Sequence, residues 1–312
     1  MTSDLLNDIR KNNIRTISRL ISLIENEHDS IEKTLISLFP FAQEAIRIGI
    51  TGPPGVGKST LIDKIIQLMR ENDKSVGVVS VDPTSPFSGG ALLGDRVRMP
   101  NHVLDKNVFI RSMGTRGQTG GLAKMSHQVA DILACSGKDF ILFETVGVGQ
   151  SETEIVQNVD LTIVLFVPES GDEIQFMKAG PVELGDIFVI NKADREGADR
   201  ITRTLQDYIN DTFKDQDFIP KIFRTVATEG KGIQSLYEEC IDLVHRFKES
   251  GTLSSRRLDQ YLIRVRNAVR QELVRQFWQK KKEDDLNRKI EELRDRNISP
   301  YEAARELISG LS

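Results

Sequence analysis

The sequence predicts an α/β fold with a mainly parallel sheet, flanked by helices at both ends of the chain. Three observations carry that prediction. From about residue 44 to 248, short β-rich runs alternate with helical patterns. Several of those runs are continuously apolar, as strands covered by helices on both faces are. A glycine-rich turn joins the first run to the first helical pattern, where α/β proteins place a phosphate.

The elements follow in order. Residues 1–43 read as an N-terminal helical extension, with Ile14, Ile17, Leu20, Ile21 and Ile24 at helical spacing. Strands are expected at Ile46–Thr51, Val76–Val81, Val108–Arg111, Phe140–Glu144, Leu161–Val167, Ile187–Asn191 and Ile222–Thr225. Their short length and β-branched content separate them from buried helix segments. Helices are expected over 58–71, 120–136, 172–180, 197–213 and 232–247, which makes 44–248 one α/β domain. Residues 249–312 turn wholly helical and highly charged. There Leu273, Val274, Phe277, Trp278 and Leu286 lie among charges, as in an amphipathic arm suited to dimer contact. Pro300 after Ser299 marks the start of a last helix.

Composition excludes several functions. The 312 residues carry 42 basic and 46 acidic side chains, a net charge of -4, without the basic excess of a nucleic-acid surface. Cys135 and Cys240 build neither a disulfide framework nor a cysteine zinc site, and the four histidines form no spaced metal cluster. The N-terminus lacks a signal-peptide core, and no run approaches the roughly 18 apolar residues of a membrane span. A cytoplasmic soluble protein is expected, with no nucleic-acid or membrane partner.

The strongest motif is Gly52-Pro53-Pro54-Gly55-Val56-Gly57-Lys58-Ser59, followed by Thr60. It matches GxxxxGK[ST] between a predicted strand and a predicted helix. Gly55 and Gly57 let the backbone bend so that its N–H groups face a polyphosphate. Lys58 is placed to reach the β- and γ-phosphates and Ser59 to ligate Mg²⁺. Asn191-Lys192-Ala193-Asp194 then ends an apolar strand and fits NKxD. The Asp194 carboxylate can accept from guanine N1–H and the N2 amino group. Adenine would leave that carboxylate desolvated and unpaired, at roughly 1–3 kcal/mol or more. The Lys192 stem can pack over the base and Asn191 can tie neighbouring loops. Val226, Ala227 and Thr228 follow the next strand and could supply the contact to the guanine oxygen.

Between these motifs lie acids placed for Mg²⁺: Asp82 at a strand end, Asp95 in a glycine-rich loop and Glu144 at a strand end. Glu144-Thr145-Val146-Gly147 stands where many nucleotide hydrolases carry DxxG, so the Gly147 N–H can sense a γ-phosphate. Two departures predict slow intrinsic hydrolysis: Glu144 replaces Asp, and Val148 follows Gly147 where small signalling GTPases place a glutamine. Arg96, Arg98 and Arg116 are candidates for an arginine that stabilises transition-state charge in cis.

With these motifs, the segments GITGPPGVGKSTLID, VDPTSPFSGGALLGDRVRM, FETVGVGQSE, PESGDEIQFMKAG and VINKADREGADR make the chain resemble the MeaB/ArgK family of G proteins. These are GTPase chaperones of adenosylcobalamin-dependent acyl-CoA mutases, and the resemblance covers roughly 40–250 best. It implies the P-loop G domain of the signal-recognition-particle and nickel-insertion GTPase class. It also implies a homodimer with C-terminal helices in the contact. Methylmalonyl-CoA mutase or a relative would be the partner, with GTP gating adenosylcobalamin delivery. A cobalamin adenosyltransferase is a further candidate partner. By resemblance, Lys58, Ser59, Asp82, Asp95 and Glu144 take phosphate and Mg²⁺ roles, Asn191, Lys192 and Asp194 read the base, and Arg98 is a switch arginine. Pro168–Gln175 matches a switch that relays nucleotide state to the mutase. The alternative is an ATPase or kinase of a basic-amino-acid transport system, against which NKAD argues.

Overall fold

A computed structural model of the chain describes residues 2–26, 28, 30–82, 99–102, 104–114, 125–145, 159–168, 181–214, 218–280, 283–295 and 298–309. Asp95, Arg96, Arg98, Arg116, Gly147, Val148 and residues 169–178 lie outside them, as does the expected helix over 172–180. The described residues form two units, 1–253 and 254–312.

In the first unit seven parallel strands line up in the order β3-β2-β4-β1-β5-β6-β7. They are β1 (Ile46–Thr51), β2 (Val76–Asp82), β3 (Val108–Gly114), β4 (Phe140–Glu144), β5 (Leu161–Phe166), β6 (Ile187–Asn191) and β7 (Lys221–Thr225). Every residue of β1, β4, β5 and β6 is buried, which is why these strands read as unbroken apolar runs. Edge strand β7 alternates less cleanly, with Lys221 and Arg224 exposed. The strands match expectation to within three residues at each end.

Helices close both faces. On one, α4 (Lys58–Glu71) lays Leu61, Ile62, Ile65, Ile66 and Met69 on Ile48, Ile50, Val78 and Leu142. On the other, α1 (Thr2–Arg10), α2 (Ile14–Glu25) and α3 (Ile31–Leu38) share a core with α5 (Ser126–Cys135). Ile9, Ile17, Ile21 and Ile24 are fully buried in that core, together with Val79, Ile141 and Phe143 from the sheet. The N-terminal helices are thus a layer over β2 and β4, and the Glu25 carboxylate pairs with Arg111 of β3. A short helix, α6 (Pro181–Leu184), precedes β6; α7 (Ala198–Phe213) then packs Ile201, Leu205 and Ile209 on β5 and β6. Last in this unit, α8 (Ile233–Glu249) covers the α4 side with Leu236, Cys240 and Leu243. Both cysteines are free and buried, and burial pushes the Cys135 thiol up to about 12, with the Asp131 charge adding to it.

A repeated device closes the amino edge of the sheet. Asp160, just before β5, accepts the Arg47 N–H of β1 at 3.0 Å; Asp186, just before β6, accepts the Thr162 N–H of β5 at 2.8 Å. Asp139, just before β4, accepts both the N–H and the hydroxyl of Ser75 at 2.7 Å. Each carboxylate satisfies a backbone donor that the neighbouring ladder leaves over. Beside them Arg47 makes a buried ion pair with Asp131 of α5 at 2.7 Å.

In the second unit α9 (Thr252–Lys280) is followed by α10 (Glu283–Asp295) and α11 (Pro300–Ser309). The expected last helix is there: the Ser299 hydroxyl accepts the Glu302 N–H at 3.3 Å and donates to the Glu302 carboxylate at 2.9 Å, a reciprocal cap. Leu307 is its buried anchor, packed against Phe277, Ile298 and Ala303. Among the described residues no helix is long and apolar enough to cross a membrane.

Candidate nucleotide site

The predicted phosphate loop spans the gap between β1 and α4, at the carboxyl edge of the sheet, where ligands of α/β proteins sit. Two glycines there are required by geometry. Gly52 has φ 147°, and an added Cβ would lie 2.5 Å from the Leu165 carbonyl oxygen. Gly57 has φ 95° as the N-cap of α4, and its Cβ would lie 2.5 Å from the Asn191 Nδ2. The loop therefore presses against β5 on one side and the NKxD strand on the other, too closely for any side chain.

Lys58 is buried at the first turn of α4, and its Nζ donates to the carbonyls of Gly52 at 2.8 Å and Pro53 at 3.0 Å. The ammonium is held across the mouth of the loop, where a polyphosphate would exchange carbonyl oxygens for charged ones. Next to it, the Ser59 hydroxyl donates to Glu144 Oε1. The other carboxylate oxygen, Oε2, accepts the Ser80 hydroxyl of β2 at 2.9 Å. Glu144 is 2 % exposed, so this carboxylate is a buried hard-oxygen group beside the loop hydroxyl. That donor set suits Mg²⁺, which takes one or two protein oxygens and completes its shell with phosphates and water. The backbone of Asp82 ends β2 two positions beyond Ser80, at the same edge; its side chain lies outside the described residues, as do Asp95 and Arg98.

The base motif is built from the same edge. Asn191, 2 % exposed at the end of β6, bridges three segments. Its Nδ2 donates to the Val56 carbonyl at 2.8 Å, and its Oδ1 accepts from the Thr225 hydroxyl at 3.0 Å and the Ala227 N–H at 3.1 Å. The loop-tying role expected of Asn191 is thus a set of three bonds. Lys192 takes a left-handed backbone, φ 56°, and stretches its Nζ to the Gly55 carbonyl at 2.9 Å. Non-glycine residues adopt that conformation at a cost of roughly 1–2 kcal/mol, and strain of this kind clusters at functional sites. Asp194 is exposed, three positions after Asn191. Ala227 is buried and Thr228 exposed in the short helical turn that follows β7. Lys231 pairs with Glu229 at 2.6 Å; that hydrogen bond, then the nearby Glu229 and Asp194 charges, raise its ammonium above the ordinary lysine range.

The fold thus gathers Lys58, Ser59, Glu144 and Asn191, separated by up to 133 positions in sequence, around one loop. Sequence reasoning missed Ser80, and it did not give the hydroxyl contacts of Thr225 and Thr145. The Thr145 hydroxyl donates to Thr51 at 3.1 Å beneath the loop. A lone hydroxyl in a strand breaks an apolar run, but only pairing says what it meets.

Residues 17–282 match the family described as "Methylmalonyl Co-A mutase-associated GTPase MeaB". The chain belongs to that family. Relatives in the MeaB family and beside it agree. A protein named as a GTPase in Pyrococcus abyssi is 40 % identical over 317 residues, covering 99 % of this chain and 98 % of that one. GTPase ArgK of Escherichia coli is 29 % identical over 96 % of this chain and 93 % of its own. The "Methylmalonic aciduria type A homolog, mitochondrial" of Mus musculus is 34 % identical over 74 % of this chain and 57 % of its own. Among solved structures, one described as LAO/AO transport system kinase superposes with a TM-score of 0.70 at 22 % identity, over 99 % of this chain and 97 % of that chain. At that identity the likeness establishes the fold. This MeaB-family chain is a P-loop GTPase, a GTP-binding and GTP-hydrolysing protein.

Proposed function

We propose that this GTPase is the nucleotide-dependent chaperone of an adenosylcobalamin-dependent acyl-CoA mutase, methylmalonyl-CoA mutase first among them. The observation that carries the reading is the joined site: Asn191 ties the phosphate loop to the base-reading segment while Ser59 and Glu144 meet beside it. The phosphate loop is thereby tied to β6 and to the turn after β7. The family's description and the mouse relative named for methylmalonic aciduria supply the partner class.

In this reading the loop Gly52–Thr60 holds the polyphosphate, through Lys58 and the N–H groups of Gly55–Thr60. Ser59 and Glu144, with Asp82 and Asp95, hold Mg²⁺, which when bound neutralises phosphate charge. Asp194 selects guanine, Lys192 covers it, and Val226–Thr228 contact its oxygen. Gly147 reports the γ-phosphate, Arg98 stabilises developing charge, and Pro168–Gln175 relays the state to the mutase. With water as nucleophile, positioning and electrostatics suffice, and turnover is slow without a partner. A homodimer through 249–312 completes the proposal. It is supported by α9, which leaves Leu258, Leu262, Val265, Val269 and Leu273 exposed at helical spacing. A cobalamin adenosyltransferase would be a further partner, and a cytoplasmic location suits all of them.

The test is association of the purified chain with methylmalonyl-CoA mutase, followed by sedimentation with GDP or with a non-hydrolysable GTP analogue. Complex formation that differs between the two nucleotides supports the reading; no association with any acyl-CoA mutase contradicts it. The transport-kinase alternative predicts ATP preference. We expect Asp194→Asn to move preference from GTP toward xanthosine triphosphate, so a nucleotide panel with both proteins separates the two.

A further inference from the structure

We infer that Ser80 is a positioning residue for the metal: its hydroxyl locks the Glu144 carboxylate in the orientation that leaves Oε1 on Ser59. The inference rests on the Mg²⁺ site proposed above and adds a residue that none of its motifs contains.

Four observations carry it. Ser80 is 0 % exposed, inside a strand whose neighbours on both sides are valine. A hydroxyl there is costly unless it is bonded. It lies in register with Glu144 across the parallel β2–β4 ladder, so both side chains are fixed by the same backbone hydrogen bonds. It donates to Oε2 at 2.9 Å, while Ser59, from a different element, donates to Oε1. Finally, the acid is a glutamate.

Glutamate has one more rotatable bond than aspartate. Its carboxylate can swing away from the loop unless something holds the far oxygen. Ser80 does that. With Oε2 held by Ser80, Oε1 stays with the Ser59 hydroxyl beside the phosphate loop, so the hard oxygens of Ser59 and Glu144 are kept together there. Partners that orient first ligands commonly alter metal affinity by about 10–100-fold when removed. Ser80 is on a buried strand, so the β2–β4 ladder holds its orientation.

The experiment measures release of N-methylanthraniloyl-GDP against Mg²⁺ concentration, with an EDTA arm, for the full chain and for Ser80→Ala. Expected is a rise of about tenfold in the Mg²⁺ concentration that half-maximally slows release. The EDTA rate should stay within twofold. Ser80→Cys, close in volume but a weak donor, should shift the midpoint in the same direction. In a Glu144→Gln background Ser80→Ala should have little further effect. A purely structural role for Ser80 would lower the melting temperature of both variants and leave the midpoint where it was. A midpoint within twofold of wild type in both variants overturns the inference. Wild-type release that ignores Mg²⁺ would instead overturn the metal site on which it stands.

Discussion

Strand β4 has an acid at each end, and the two teach different things. Asp139 precedes it at the amino edge and Glu144 ends it at the carboxyl edge. Each meets a serine from the matching end of β2, Ser75 and Ser80. Asp139 takes the Ser75 backbone N–H as well as the hydroxyl, and Asp160 and Asp186 take backbone N–H groups in the same way. Those acids close off the ladder. The described hydrogen bonds to the Glu144 carboxylate come instead from two hydroxyls, Ser59 and Ser80. One sheet thus pairs an acid with a serine at both edges, as a seam at one edge and beside the phosphate loop at the other.

The largest effect expected from the comparison lies on the seam. Asp131→Ala leaves the buried Arg47 guanidinium unpaired and should cost about 3–5 kcal/mol in urea denaturation. GTP affinity of the folded fraction should be unchanged. Replacing both partners with apolar residues of similar volume should recover most of that loss. The sharpest contrast comes next. Glu144→Gln should lower Mg²⁺-dependent GTP turnover by about 100-fold, roughly 2.7 kcal/mol, with little change in melting temperature. Asp139→Asn should leave turnover within twofold and cost about 1 kcal/mol of stability, a fall of about 2–4 °C. The reverse pattern would break the comparison. Asn191→Ala belongs to both categories: it strands the Val56 carbonyl and the Ala227 N–H, so it should cost about 1–2 kcal/mol in stability and also weaken GTP binding.

The smallest effect depends on pH. Lys138, buried at the amino edge, is pushed down to about 8 by burial, with the Arg70 charge adding to that and Asp105 opposing. Below pH 8 the fold must bury a charge that the unfolded chain keeps in water. Between about pH 8 and 10.4 the unfolded state binds more protons, so this cost is relieved and stability rises with pH. The Asn107 carbonyl that Lys138 reaches already accepts the Val76 N–H at 2.9 Å. Lys138→Met should therefore gain about 1 kcal/mol at pH 7. That gain should fade toward pH 10, as read by denaturation at each pH.

Much of the site was legible because its chemistry is local in sequence. Lys58 and Ser59 follow the glycines that position them, and Asn191 to Asp194 close one strand. The strands were legible because burial on both faces leaves an unbroken apolar run. Other features depend on pairing. Ser80 and Thr225 are single hydroxyls whose meaning comes from a partner 64 or 34 positions away. The amino-edge aspartates look like ordinary turn residues until the strand order brings each beside its neighbour's first N–H. The N-terminal helices showed their apolar stripe, but a stripe does not name the surface it covers. Here that surface is α5 and the face of β2 and β4. Arg98, Asp95, Gly147 and the relay segment stand on sequence alone.

The most direct test of the account is single-turnover GTP hydrolysis by the purified chain in Mg²⁺, alone and with adenosylcobalamin-dependent methylmalonyl-CoA mutase. The account predicts a low basal rate, raised severalfold or more by the mutase and absent in Lys58→Ala. A rate unmoved by any acyl-CoA mutase, or equal turnover of ATP and GTP, would contradict it.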